Sequence, residues 1–222
     1  MKDRVTPFLQ GDATQQMNET RLVLGFDLRS DPGQDSHHPL RDDQRLTPHL
    51  QSPISADPAV WRSPPGAEQL WGGVLQDFSN PLNLAKDLDL LERKYSQRST
   101  STTGLWPICI TAHRTIADVL VKRYGRGYFE SFVDESELTS KGWRHLGFDV
   151  IDLNGLISGL KGCGYTGPLW SQLRNEFYAS LNEIGLFTDL SIASRFAEVR
   201  GLEIPEHAPF VTVGLLTRGG LC

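Results

Sequence analysis

Apolar and polar positions alternate with period two across residues 21–28 (RLVLGFDL), where Leu22, Leu24 and Phe26 share one face and Leu28 extends it. That alternation predicts a half-buried strand. Residues 107–112 (PICITA), rich in branched side chains, and 209–217 (PFVTVGLLT) predict two more. A fourth lies where Phe148 and Val150 alternate with Gly147, Asp149 and Ile151. Helical spacing marks other stretches. Residues 68–78 and 81–95 read as helices, the second with Ser79 or Asn80 as cap, Pro81 at its first position and a stripe of Leu84, Leu88, Leu91 and Tyr95. Residues 115–124 carry Ile116, Val119, Leu120 and Arg123 and stop at Gly125. A short strand over 128–133 and a short helix over 136–146 are expected before the central strand. Beyond it, Leu153, Leu156, Ile157 and Leu160 predict a helix with Gly155 and Gly159 off the apolar stripe, glycines best explained by the close approach of a neighbouring backbone or a ligand. A long helix over 168–184, closed by Gly185, and another over 190–200 complete the pattern.

The segments between are equally informative. Residues 1–20 are polar and aperiodic, a loose arm. Residues 29–66 are dense in Pro, Gly, Ser and Asp and predict a long irregular loop. The run QRSTSTTG (97–104) is the best boundary, giving an N-terminal lobe over 21–96 and a second lobe over 105–222, with one continuous domain as the other arrangement. Strands separated by helices at irregular spacing, with no repeat, predict an α+β fold with a mixed sheet and packed helices.

Composition narrows the classes. The chain has 222 residues, 39% hydrophobic and 22% charged, with a formal net charge of −5. The sequence pI of about 5.7 and mean hydropathy of −0.31 agree with an ordinary globular protein. A broad nucleic-acid surface would need a basic excess, so no nucleic-acid partner is expected. No stretch approaches the roughly 18 apolar residues of a membrane span. Three cysteines (Cys109, Cys163 and Cys222) with no C-x-x-C pair are neither a disulfide framework nor a zinc site, which suits reduced thiols in a cytoplasm.

The densest set of reactive side chains falls in 142–165 (GWRHLGFDVIDLNGLISGLKGCGY). Cys163, between Gly162 and Gly164, follows the C-terminal end of a predicted helix. The helix dipole there raises a thiol pKa, a poor setting for a thiolate nucleophile. As a nucleophile it needs a histidine base, with His207 and His145 the leading candidates and His113 a third. Asp149 and Asp152 fall on opposite strand faces, and His145 shares a face with Asp149 only, too few ligands for a metal site. No cofactor is expected. His113 and Arg114 open a helix and admit an anion site, although no glycine-rich loop supports one.

The run LGFDVIDLNGLISGLKGCGY, followed by LNEIGLF (181–187) and IPEHAPFVTVGL (204–215), resembles small bacterial cytoplasmic proteins of immunity type, which accompany toxins. The resemblance covers roughly residues 105–216, about half of the chain. Its matching positions are glycines, core aliphatics and a proline turn, so it implies a shape and a non-catalytic, toxin-binding role rather than a catalytic set. Acidic and aromatic groups would then meet the partner, and Asp134, Glu135, Glu137 and Trp143 are the expected contact residues. The competing expectation is a small hydrolase or transferase using Cys163 with His207 or His145.

Overall fold

The computed structural model describes residues 20–30, 84–96, 105–125, 133–153, 158–160 and 168–218. Within them the elements run β1 (Arg21–Ser30), α1 (Leu88–Ser96), β2 (Leu105–His113), α2 (Arg114–Tyr124), α3 (Glu135–Ser140), β3 (Arg144–Asp152), α4 (Pro168–Ala179), α5 (Leu190–Glu203) and β4 (Phe210–Thr217). The fold is α+β, as the pattern predicts. The strands form one sheet in the order β1-β2-β4-β3. Every paired neighbour is antiparallel, so the expected mixed sheet is corrected. The cause is topological. β2 and β3 run parallel to each other, but β4 inserts between them and turns what would be one parallel pair into two antiparallel ones.

β1 pairs with β2 from Arg21↔His113 to Ser30↔Leu105, which joins the 21–96 and 105–222 segments in a single sheet. The predicted loop over 29–66 contributes Arg29 and Ser30 to that ladder; the rest of it, the arm before residue 20, the predicted helix over 68–78 and the predicted strand over 128–133, apart from Val133, lie outside the described residues.

Several element boundaries differ from the pattern, each because a backbone group finds a partner outside a helix. Ala85 exchanges hydrogen bonds with Phe26, so α1 starts only at Leu88, where Asp87 Oδ1 accepts from Leu90 N at 3.0 Å. α3 stops at Ser140 because Gly142, at φ +85°, turns the chain and Trp143 leads into β3. Ser158 bridges back to Ile151 and Gly159 N donates to Val150 O at 2.7 Å, so these residues are not helical as expected. A Cβ on Gly159 would meet the Phe210 ring at 3.3 Å, the close approach that the glycine signalled.

One face of the sheet is continuous and apolar. Leu22, Leu24, Ile108, Ile110, Ala112, Val213 and Leu215 pack there against Ala117 and Leu120 of α2. The other face carries two separate clusters. Val23, Leu28, Cys109 and Leu216 meet α1, Leu138 of α3 and Trp143 at one end. Val150 and Phe210 meet Phe177 of α4 and Phe196 of α5, with Phe187, at the other. The strip of sheet between these clusters is polar.

Candidate functional site

Gly214 on β4 forms the floor of that strip. A Cβ there would lie 2.7 Å from Thr111 Oγ1, 3.0 Å from His145 Nε2 and 3.1 Å from Arg21 Nη2. Strand alternation brings these groups together, because Thr111, Gly214 and Phe148 occupy the same face of three neighbouring strands. Glu135 enters from the first turn of α3. Its Oε2 accepts from Arg21 Nε at 3.1 Å and from Thr111 Oγ1 at 2.5 Å. Arg21 Nη2 donates to Thr111 O at 2.9 Å, and its guanidinium stands 5.2 Å from the centre of the Phe148 ring. His145 stacks at a tilt on the same ring, 4.6 Å between centroids, with Nε2 3.9 Å from Glu135 Oε1. Five elements, β1, β2, α3, β3 and β4, therefore meet in one polar cluster.

Exposure rises outward through the cluster, from 11% for the Arg21 side chain and 17% for Glu135 to 30% for His145. Burial lowers the pKa of Arg21 while Glu135 opposes the shift; the guanidinium stays charged. Burial also lowers the pKa of His145, Glu135 pulls it up and Arg21 pushes it down again. The net lowering keeps the ring neutral at pH 7. The arrangement is an anchored carboxylate with one oxygen accepting two hydrogen bonds and the other turned toward a neutral imidazole. Chemically it can exchange a proton with its surroundings, and mechanically it ties α3 to the sheet.

Sequence reasoning singled out Glu135 and His145 for different roles, and the structure brings them to one place. It passed over Arg21, Thr111 and Gly214. A glycine inside a strand was the available signal, since such a residue marks a close approach.

The other residues singled out lie elsewhere. Asp134 caps α3, its Oδ1 accepting from Ser136 N at 2.8 Å, and the hydrogen bond from the Ser136 side chain, with this backbone bond, holds its carboxyl below the usual range. Glu137 is exposed. Trp143 is 5% exposed and packs at a tilt on Phe26, which corrects the expectation of an exposed aromatic contact: the indole fills the groove between β1 and α3. His207 Nδ1 stands 3.5 Å from the buried Asp152 Oδ2, well separated in the sheet register from His145. Cys163 lies outside the described residues. Asp149 turns into the interior, where Ser158 Oγ donates to it at 2.8 Å. His145, Asp149 and Asp152 thus have three different environments, and among the described residues no group of three His, Cys, Asp or Glu side chains is arranged to hold a metal ion. His113 serves as the cap of α2, Nδ1 accepting from Thr115 N at 3.2 Å.

No helix among the described residues is long and apolar enough to cross a membrane. No known protein family matches the chain, and neither the curated proteins nor the solved structures give a significant match.

Proposed function

We propose that the chain is a non-catalytic binding protein, an immunity-like inhibitor that binds and neutralises a bacterial toxin in the cytoplasm. One observation carries the reading: α3 is clamped from beneath and presents charge outward. Glu135 is fixed by Arg21 and Thr111, and Leu138 and Trp143 are buried in the adjoining cluster. On the outward side Asp134 and Glu137 form an acidic end, with exposed Lys141 and Arg144 beyond it. A rigid, charge-polarised corner needs little ordering when it meets a partner, which favours affinity. The net charge of −5 assists encounter with a basic surface. The sequence resemblance to immunity-type proteins points the same way.

The test is co-expression with each candidate toxin found encoded beside this chain, together with binding by calorimetry. The wild-type chain is expected to protect cells and bind at one-to-one stoichiometry. Glu137→Lys, at an exposed position that anchors nothing, should weaken binding about tenfold or more, most of it in the association rate at low salt. Absence of both protection and binding would remove the proposal.

A further inference from the structure

We infer that His207 is a covalent acyl-acceptor site, its Nε2 held outward as a nucleophile by the buried Asp152 carboxylate behind Nδ1. The pair lies at the end of β3 opposite His145, so it is independent of the α3 corner and of the binding role proposed above. Asp152 Oδ2 stands 3.5 Å from His207 Nδ1, with 4% of the Asp152 side chain exposed against 43% of the His207 side chain. A carboxylate at that nitrogen selects the tautomer with its proton on Nδ1, which leaves the Nε2 lone pair facing solvent. The separation is at the outer edge of hydrogen bonding, as such pairs often are before a reactant binds.

Backbone bonds fix the turn that presents the ring. His207 N donates to Ile204 O at 3.1 Å and Ala208 N to Pro205 O at 3.3 Å. Leu153 N, next to Asp152, donates to Pro209 O at 3.2 Å and ties the turn to the end of β3. The other two histidines among the described residues are set differently. His113 Nδ1 accepts from Thr115 N at 3.2 Å, so that lone pair is used and the neutral ring carries its proton on Nε2. His145 turns Nε2 inward over Gly214, toward Glu135 Oε1.

Charge narrows the electrophile. Asp152 beside the ring and the exposed Glu206 next to it in the chain repel a phosphoryl dianion. An uncharged acyl group, carried on an activated ester, thioester or anhydride, meets no such repulsion. In the transfer, Nε2 forms a bond to the acyl carbon. The bond from that carbon to its leaving oxygen or sulfur breaks, and the leaving group departs with the electron pair. The ring becomes an N-acylimidazolium whose Nδ1–H faces Asp152, and that carboxylate offsets the new positive charge. Asp152 is thus a positioning residue and His207 the group that reacts.

The test is carbethoxylation of the full chain by diethyl pyrocarbonate, an uncharged acyl donor, with the rate at each histidine followed by peptide mass spectrometry. His207 is expected to react faster than His113 and His145. Asp152→Asn should slow His207 by about tenfold, because an amide no longer selects the tautomer, and leave His113 unchanged. A merely structural role for Asp152 predicts the opposite sign, since a loosened turn exposes the ring further. His207 reacting no faster than the other two in the wild-type chain would overturn the inference, and that readout needs no variant. An unchanged or raised His207 rate in Asp152→Asn would equally remove it. Phosphorylation of His207 by phosphoramidate as fast as its carbethoxylation would show the acyl preference to be wrong.

Discussion

At Gly214, polar atoms from β1, β2 and β3 crowd the point where a side chain would begin, the nearest of them Thr111 Oγ1 at 2.7 Å. Thr111 is buried, Arg21 is largely so, and both are hydrogen-bonded, so they cannot give way without losing a partner. Gly214→Ala is therefore expected to lower stability by about 1–3 kcal/mol, the usual range for overpacking. The measure is the urea midpoint at unchanged slope. Gly201→Ala is the control: nothing lies within 4 Å of its Cβ, and it sits inside α5. That change should stabilise by roughly 0.5–1 kcal/mol. Equal effects at the two sites would show that the cluster over Gly214 is loosely packed. At this scale the sequence made Glu135 and His145 visible as ionisable residues but did not show their meeting. Arg21 reaches Glu135 across 114 positions and Thr111 across 90, and no local pattern encodes contacts so remote.

Elements were the most legible part of the chain, because they follow from side-chain period and capping. α5 shows how directly. Asp189 Oδ1 accepts from Ser191 N at 2.7 Å and from Ile192 N at 3.3 Å, satisfying two donors that a helix start leaves open. Asp189→Ala should cost about 1 kcal/mol in thermal or urea unfolding. The bonds from Ser191, with the backbone N–H of Ile192, hold the carboxyl below its ordinary value. The contribution of the cap is then complete above about pH 3.9 and is lost as pH falls through the lowered folded value. A wild-type-minus-variant difference that stays constant into strong acid would contradict the cap. Boundaries were less legible than elements. The apolar stripe predicted for α4 continues past Ala179, yet Ser180 N turns back to Phe177 O. Asn182 then fixes the turn: it donates to Leu146 O and accepts from the backbone N–H groups of Ile184 and Leu186. One polar side chain with three long- and short-range bonds overrides a hydrophobic period that would have extended the helix.

Across the whole molecule, helices α4 and α5 are joined to the sheet by an aromatic centre. Phe196 lies 5.0 Å from Phe177 and 5.3 Å from Phe187, ring centre to ring centre, and all three are fully buried. Phe196→Ala should destabilise the chain by about 3–5 kcal/mol, since the void lies among rings from three segments that cannot collapse together. Calorimetric unfolding measures it, and a cost below about 1 kcal/mol would mean that this layer is not closely packed. The sequence by itself determined the α+β class and the identity of the four strands, because backbone geometry converts residue spacing into strand periods. The single face expected for Leu22, Leu24, Phe26 and Leu28 is corrected, since the bulge between Val23 and Gly25 sends Phe26 and Leu28 to the opposite side of the sheet. Tertiary structure alone decided the place of β4 between β2 and β3, hence the antiparallel sheet, and the gathering of Arg21, Thr111, Glu135 and His145 over Gly214. Those outcomes depend on which surfaces meet, and that choice is made by packing between segments far apart in the chain rather than by any period within one of them.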